Sequence, residues 1–109
     1  MTVTELADKL QLETVTCPEP TREFSGVYIG DLLSWVMGRA NADQVWITIM
    51  SNINIIAVAS LTDVACILLA EGVTLDDDLR KVAEEKGVNV FSSSQTAYEI
   101  ALALAALNA

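Results

Sequence analysis

The chain has 109 residues, 52% of them apolar, and fifteen Asp and Glu against six Lys and Arg leave a net charge of −9. That length holds one domain, residues 1–109, since single cores occupy about 100 to 150 residues, and so apolar a composition excludes intrinsic disorder. Six scattered basic residues leave no electrostatic footprint for nucleic acid or anionic lipid, and the absence of His removes the commonest general base and metal ligand.

In chain order, Thr2 and Glu5 have capping-box spacing, and Val3, Leu6, Ala7 and Leu10 follow on one helical face. Leu12 to Thr16 is β-prone. Two prolines in Cys17-Pro18-Glu19-Pro20 make that segment a loop. Phe24 to Ile29 reads as a strand ending at Gly30-Asp31, with Asp31 as N-cap of a largely buried helix from Leu32 to about Arg39. Val45 to Met50 is a strand, Ser51-Asn52 a loop or cap, Ile53 to Leu61 an apolar helix, and Val64 to Leu69 a fully buried strand. Thr74 and Asp77 open the next helix. Asp76, Asp77 and Asp78 occupy its first turn, where the macrodipole favours negative charge, and Gly87 stops it. Val88 to Phe91 is a short strand, Ser92 to Gln95 a polar loop, and Thr96 to Leu107 the closing helix.

Strands separated by helices imply βαβ units with right-handed crossovers. The expected fold class is α/β: a three-layer domain around a mostly parallel sheet of four or five strands. Parallel strands are covered on both faces, which accounts for the continuous apolar run Cys66-Ile67-Leu68-Leu69. The longest such run, Val64 to Ala70, is seven residues, against the roughly 20 that a bilayer demands. Met1 to Glu5 has neither a basic region nor an apolar stretch, so no signal peptide is expected. Cys17 and Cys66 lie 49 residues apart, which is no metal-ligand spacing. Two free thiols fit a reducing cytoplasm, the expected compartment.

The five glycines form neither a dinucleotide fingerprint nor a Walker loop, which argues against a kinase or NTPase. Without His, a Ser or Cys triad has no base. Consecutive Asp76, Asp77 and Asp78 point in different directions on a helix, so charge at a helix N-terminus explains them better than a metal site. No cofactor and no metal are therefore expected. A binding site is harder to dismiss, because ligands of open α/β sheets gather outside the carboxyl ends of the strands. Those ends carry Gly30-Asp31, Ser51-Asn52, Glu71-Gly72 and Ser92 to Thr96. Gly30, Asp31, Ser51, Asn52, Ser93, Gln95 and Thr96 can offer hydroxyls and free amides to a phosphate or carboxylate. Each is equally an ordinary helix-cap residue. Trp35 and Trp46 read as core, unless Trp35 lies on the exposed side of its helix and anchors an interface.

The segment Thr21 to Leu33, with Arg22 ahead of Gly26 and Gly30-Asp31 near its end, resembles the DRTGG domain family, as does the strand Val45 to Ile49. The likeness continues through Asn54 to Ala59, Ala65 to Leu69, Gly87 to Ser92 and Thr96 to Glu99, and so covers essentially the whole chain. Where the family carries Asp-Arg, this sequence has Thr21-Arg22. The resemblance implies an α/β module similar to the N-terminal domain of HPr kinase/phosphorylase, of a kind found beside CBS domains in pyrophosphatases. Stand-alone members are often labelled HPr serine kinases and occur near iron hydrogenase genes in anaerobic bacteria. The similarity involves the domain without the phosphate loop, so it implies no kinase activity.

The expectation is a non-enzymatic cytoplasmic regulatory module that binds a small anionic or nucleotide-like ligand at the strand ends. The alternative is a protein-interaction subunit of a redox or signalling complex. Helices Ile53 to Leu61 and Ala97 to Leu107 look apolar on more than one face, so a homo-oligomer, most simply a dimer, is also expected.

Overall fold

A computed structural model describes residues 1–107. Among them the strands β1 (Glu13–Thr16), β2 (Val27–Ile29), β3 (Val45–Thr48), β4 (Cys66–Leu69) and β5 (Val90–Ser92) form one sheet in the order β1-β5-β4-β3-β2. β2 to β5 are parallel to their neighbours, and β1 lies antiparallel on β5 with a bulge between Thr14 and Thr16. The helices are α1 (Val3–Lys9), α2 (Leu33–Arg39), α3 (Asn54–Thr62), α4 (Asp77–Glu85) and α5 (Ala97–Ala106). This is the α/β, mostly parallel architecture that the alternation of elements implies.

The two faces of the sheet bury separate cores. Val45, Ile47, Cys66, Leu68 and Phe91 pack with Val3 and Leu6 of α1 and Ile100 and Leu104 of α5. Trp46, Ile67, Leu69 and Val90 pack with Val36 of α2, Ile55, Ile56, Val58 and Ala59 of α3, and Ala83 of α4. Every residue of β3 and β4 is buried because both faces are covered. Truncating one of these, as in Leu68→Ala, costs about 2–5 kcal/mol. No helix among the described residues is long and apolar enough to cross a membrane.

Two capping boxes fix helix starts that the sequence marks. The Glu5 and Glu99 amides donate to the Thr2 and Thr96 hydroxyls at 3.2 Å each, and each carboxylate accepts from the threonine amide at 3.0 Å. Hydrogen bonds from the Thr2 amide, then from its side chain, hold the Glu5 carboxyl below the usual range. In α4 the capping residue is Asp76, which accepts from the Leu79 amide at 2.9 Å, so Thr74 lies outside the helix.

Other elements depart from the sequence reading. β2 starts at Val27 instead of Phe24, because the Phe24 amide donates to the Met1 carbonyl and Ser25 to the Asp43 carbonyl instead of joining β3. Ser92 belongs to β5 and not to the following loop; it is buried, and its hydroxyl donates to the Val73 carbonyl at 2.6 Å. Asp31 does not cap α2. The capping position is Leu32, without a side-chain hydrogen bond. Nor is α2 largely buried: only Val36 is, while Leu32, Trp35 and Met37 are each more than half exposed. Trp35 therefore lies on the outer side of its helix, with the Arg39 guanidinium 3.8 Å above its ring, and Trp46 is core.

Candidate functional site

The order of the parallel strands decides where a crevice opens. β2, β3 and β4 are followed by α2, α3 and α4, which all pack on one face, whereas the chain leaves β5 for α5 on the other. The connections after β4 and β5 therefore diverge from adjacent strands to opposite faces. Such a point is where open α/β sheets form their ligand crevices.

At the β2 and β3 ends, Gly30, Asp31 and Thr48 are engaged with one another's strands. The Gly30 amide donates to the Ile47 carbonyl at 3.2 Å, and the Gly30 carbonyl accepts from the Trp46 indole at 2.9 Å. A Cβ at Gly30 would come within 2.9 Å of the Tyr28 ring. Asp31 reaches across to β3, its carboxylate accepting from the Thr48 hydroxyl at 2.7 Å and the Ile49 amide at 3.0 Å. That bridge, made instead of a helix cap, ties β2 to β3 just beyond their last paired residues. Asn52 accepts from the Asn54 amide at 2.9 Å in the turn ahead of α3, and Ser51 is exposed beside it.

At the β4 and β5 ends the loops are tied to each other but left open outward. The Glu71 amide donates to the Gln95 carbonyl and the Gly72 amide to the Ser93 carbonyl, each at 2.8 Å. The Gln95 amide donates to the Ser93 hydroxyl at 3.1 Å, and Thr96 caps α5. Between this rim and the corner joining α1 to β1 lies a cleft of about 410 Å³, lined by Leu10, Gln11, Glu13, Gly72 and the run Ser92 to Gln95. Among the described residues no hydrogen bond engages Ser94, and Glu13 is its only charged lining residue. Of the residues singled out from sequence, Ser93 and Gln95 line this cleft, and Thr96 fixes the helix beside it. Gly30, Asp31, Ser51 and Asn52 stand farther along the same edge.

Sequence reasoning missed Gln11 and Glu13, because the antiparallel pairing of β1 with β5 that brings them beside Ser92 is announced by no local pattern. It also missed the role of Arg22 at the opposite end of the strands. Arg22 lies in the loop before β2 with a side chain only 18% exposed. Its guanidinium donates to Asp43 Oδ1 at 2.8 and 3.3 Å and to the Asp63 carbonyl at 2.8 Å, and it pairs with Asp63 Oδ1 at 3.2 Å. Asp43 and Asp63 close the turns ahead of β3 and β4 in left-handed conformations, at φ 69° and 58°, which Asp tolerates better than most residues. Burial alone would lower the Arg22 pKa, but the hydrogen bonds and charges of Asp43 and Asp63 outweigh it and raise the pKa. The cluster is a clamp that joins three loops, with Nη1 paired to Glu19 at 3.5 Å.

The thiols also sit toward this end. Burial pushes the Cys66 thiol up to about 12 and, to a lesser degree, raises Cys17. By register, Cys66 and Cys17 lie on either side of Asn89, two strands apart or about 10 Å, beyond the span of an unstrained disulfide.

A family model described as the DRTGG domain matches residues 5–107. A search of curated proteins gives no match. Among solved structures the chain is similar to the CBS and DRTGG domains of the regulatory region of Clostridium perfringens pyrophosphatase, complexed with an activator, diadenosine tetraphosphate. The TM-score is 0.74 at 13% identity, over 94% of this chain and 45% of that one. The likeness is one of fold, and the chain spans less than half the length of that regulatory region.

Proposed function

Because the chain belongs to the DRTGG domain family, we propose that it is a non-catalytic regulatory module sensing a small anionic, nucleotide-like ligand at the C-terminal ends of β4 and β5. The observation that carries this reading is the open polar cleft where the connections after adjacent strands diverge to opposite faces. A related fold serves in a pyrophosphatase regulatory region that holds a dinucleotide activator. The absence of His and of a phosphate loop in the sequence supports a role without catalysis, as does a buried Cys66 thiol held at about 12.

In this reading Ser93 and Gln95 touch the ligand and Thr96 orients the α5 terminus beside it. Gly30, Asp31, Ser51 and Asn52 form the far part of the same edge, two to three strands or about 10–15 Å away, within reach of an extended dinucleotide. The working compartment is the cytoplasm. Thermal-shift measurements with adenine nucleotides test the reading. Ligand at about 100-fold over its Kd adds about 2.7 kcal/mol, so a clear rise in Tm is expected, and a flat response at millimolar nucleotide overturns it.

A second reading, an interaction subunit of a redox or signalling complex that itself dimerises, draws on exposed Leu32 at the cap of α2, Trp35 and Met37 on it, and Leu61, Tyr98 and Leu102, each more than half exposed. Static light scattering giving twice the chain mass supports the homodimer, and a monomer mass at micromolar concentration contradicts it.

A further inference from the structure

We infer that the cleft beside β5 recognises the ribose of a nucleoside through the Glu13 carboxylate, and not the phosphate of a nucleotide. The inference rests on the ligand-sensing role proposed above and narrows it to the part of the ligand that is read.

The lining chemistry carries the step. Glu13 is the one charged residue that lines the cleft, and no Lys or Arg joins it there. Among the described residues no ion pair engages it. An ionised carboxylate only accepts hydrogen bonds, and its two oxygens match two adjacent hydroxyls, as acidic residues do for the ribose of dinucleotides. A phosphate brought to the same wall meets a like charge with no cation between them, in a chain of net charge −9. The rest of the rim is neutral: Gln11, Ser93, Ser94 and Gln95 supply donors and acceptors of both kinds, suited to a sugar and a base edge, and Leu10 supplies an apolar surface.

Glu13 is placed for this by the sheet. It starts β1, whose antiparallel register sets it opposite Ser92, the last residue of β5. Glu13 therefore stands at the carboxyl end of β5, although its own strand runs the other way. The cleft volume of about 410 Å³ lies in the range of small-molecule sites, roughly 300–1,000 Å³.

Isothermal titration calorimetry of the full chain at low salt, with adenosine, 2′-deoxyadenosine, AMP and ATP, tests the inference together with Glu13→Gln. Adenosine and AMP are expected to bind within a few-fold of each other, with 2′-deoxyadenosine and ATP each weaker by about tenfold, one hydrogen bond or charge contact's worth. Glu13→Gln is expected to erase the preference for adenosine over its deoxy analogue while leaving Tm unchanged. ATP binding tightest, with Glu13→Gln strengthening it and leaving adenosine unaffected, overturns the inference and leaves the ligand-sensing role standing. No binding by any of the four overturns both.

Discussion

The two ends of the parallel strands use their polar residues in opposite ways. At the amino end, Arg22 joins the turns before β3 and β4, and the buried Asn89 donates to the Glu19 and Ala65 carbonyls and accepts from the Glu19 amide. Both side chains tie distant loops to one another. At the carboxyl end Asp31 bridges β2 and β3 by accepting from Thr48 and Ile49, whereas beside β5 the side chains of Ser94 and Glu13 have no partner among the described residues and border a cleft. A polar cluster that satisfies itself holds a fold together, and one left unsatisfied at a crevice is available to a ligand. The Arg22 segment, through which the chain resembles its family, is on this view architecture, and recognition lies about a strand length away.

The largest expected effect at the amino end belongs to Cys66, the first residue of β4. Burial raises its pKa from 9.0 to about 12, so between those values the unfolded thiol is ionised while the folded one is not. Ionisation then favours the unfolded chain. Stability, untouched by this group below about pH 9, falls as pH rises toward 12, by at most about 1.4 kcal/mol per pH unit. Denaturant unfolding from pH 8 to 11 is expected to show a steeper loss for the wild type than for Cys66→Ala; parallel curves would contradict the burial. Next in size, Asn89→Ala removes three hydrogen bonds at a side chain that is 1% exposed. Equilibrium unfolding is expected to show a loss of about 3 kcal/mol.

Arg22→Ala is expected to cost about 2 kcal/mol, since its carboxylate partners are more than half exposed and water compensates in part. Its nucleotide affinity is expected to stay at the wild-type value. A variant that keeps its Tm but loses ligand would exchange the roles of the two ends. The smallest effect is at Asp31, where Asp31→Ala is expected to cost about 1 kcal/mol through the lost bonds to Thr48 and Ile49. Thr48→Val in the Asp31→Ala background should then add less than it does alone, a coupling that a double-mutant cycle measures.

Much of the fold was legible because its signals are local. The continuous apolar run of β4 announces two-sided burial, and Thr2-Glu5 and Thr96-Glu99 carry their capping partners within one helical turn. What escaped depends on contacts between distant residues. Asp31 has the sequence position of a cap, but Thr48, seventeen residues on, competes for its carboxylate and wins. The apolar residues of α2 suggest burial, yet its side chains cover more directions than one sheet face can receive, and Trp35 is left outside with Arg39. The Arg22 clamp draws on three loops at once. For the candidate site, the polar strand ends were readable, but which pair of ends opens a cleft depended on the face to which each helix returns. Ser93 and Gln95, which the sequence singles out, line that cleft, whereas Gln11 and Glu13, brought there by β1 and the corner before it, carry no local signal.

Chemical-shift mapping of the uniformly labelled chain on titration with AMP tests the division between the two ends most directly. The account predicts the largest amide perturbations at Gln11, Glu13 and Ser93 to Thr96, with Arg22, Asp43 and Asp63 unmoved. Perturbations centred on Arg22 and its two aspartates would contradict it.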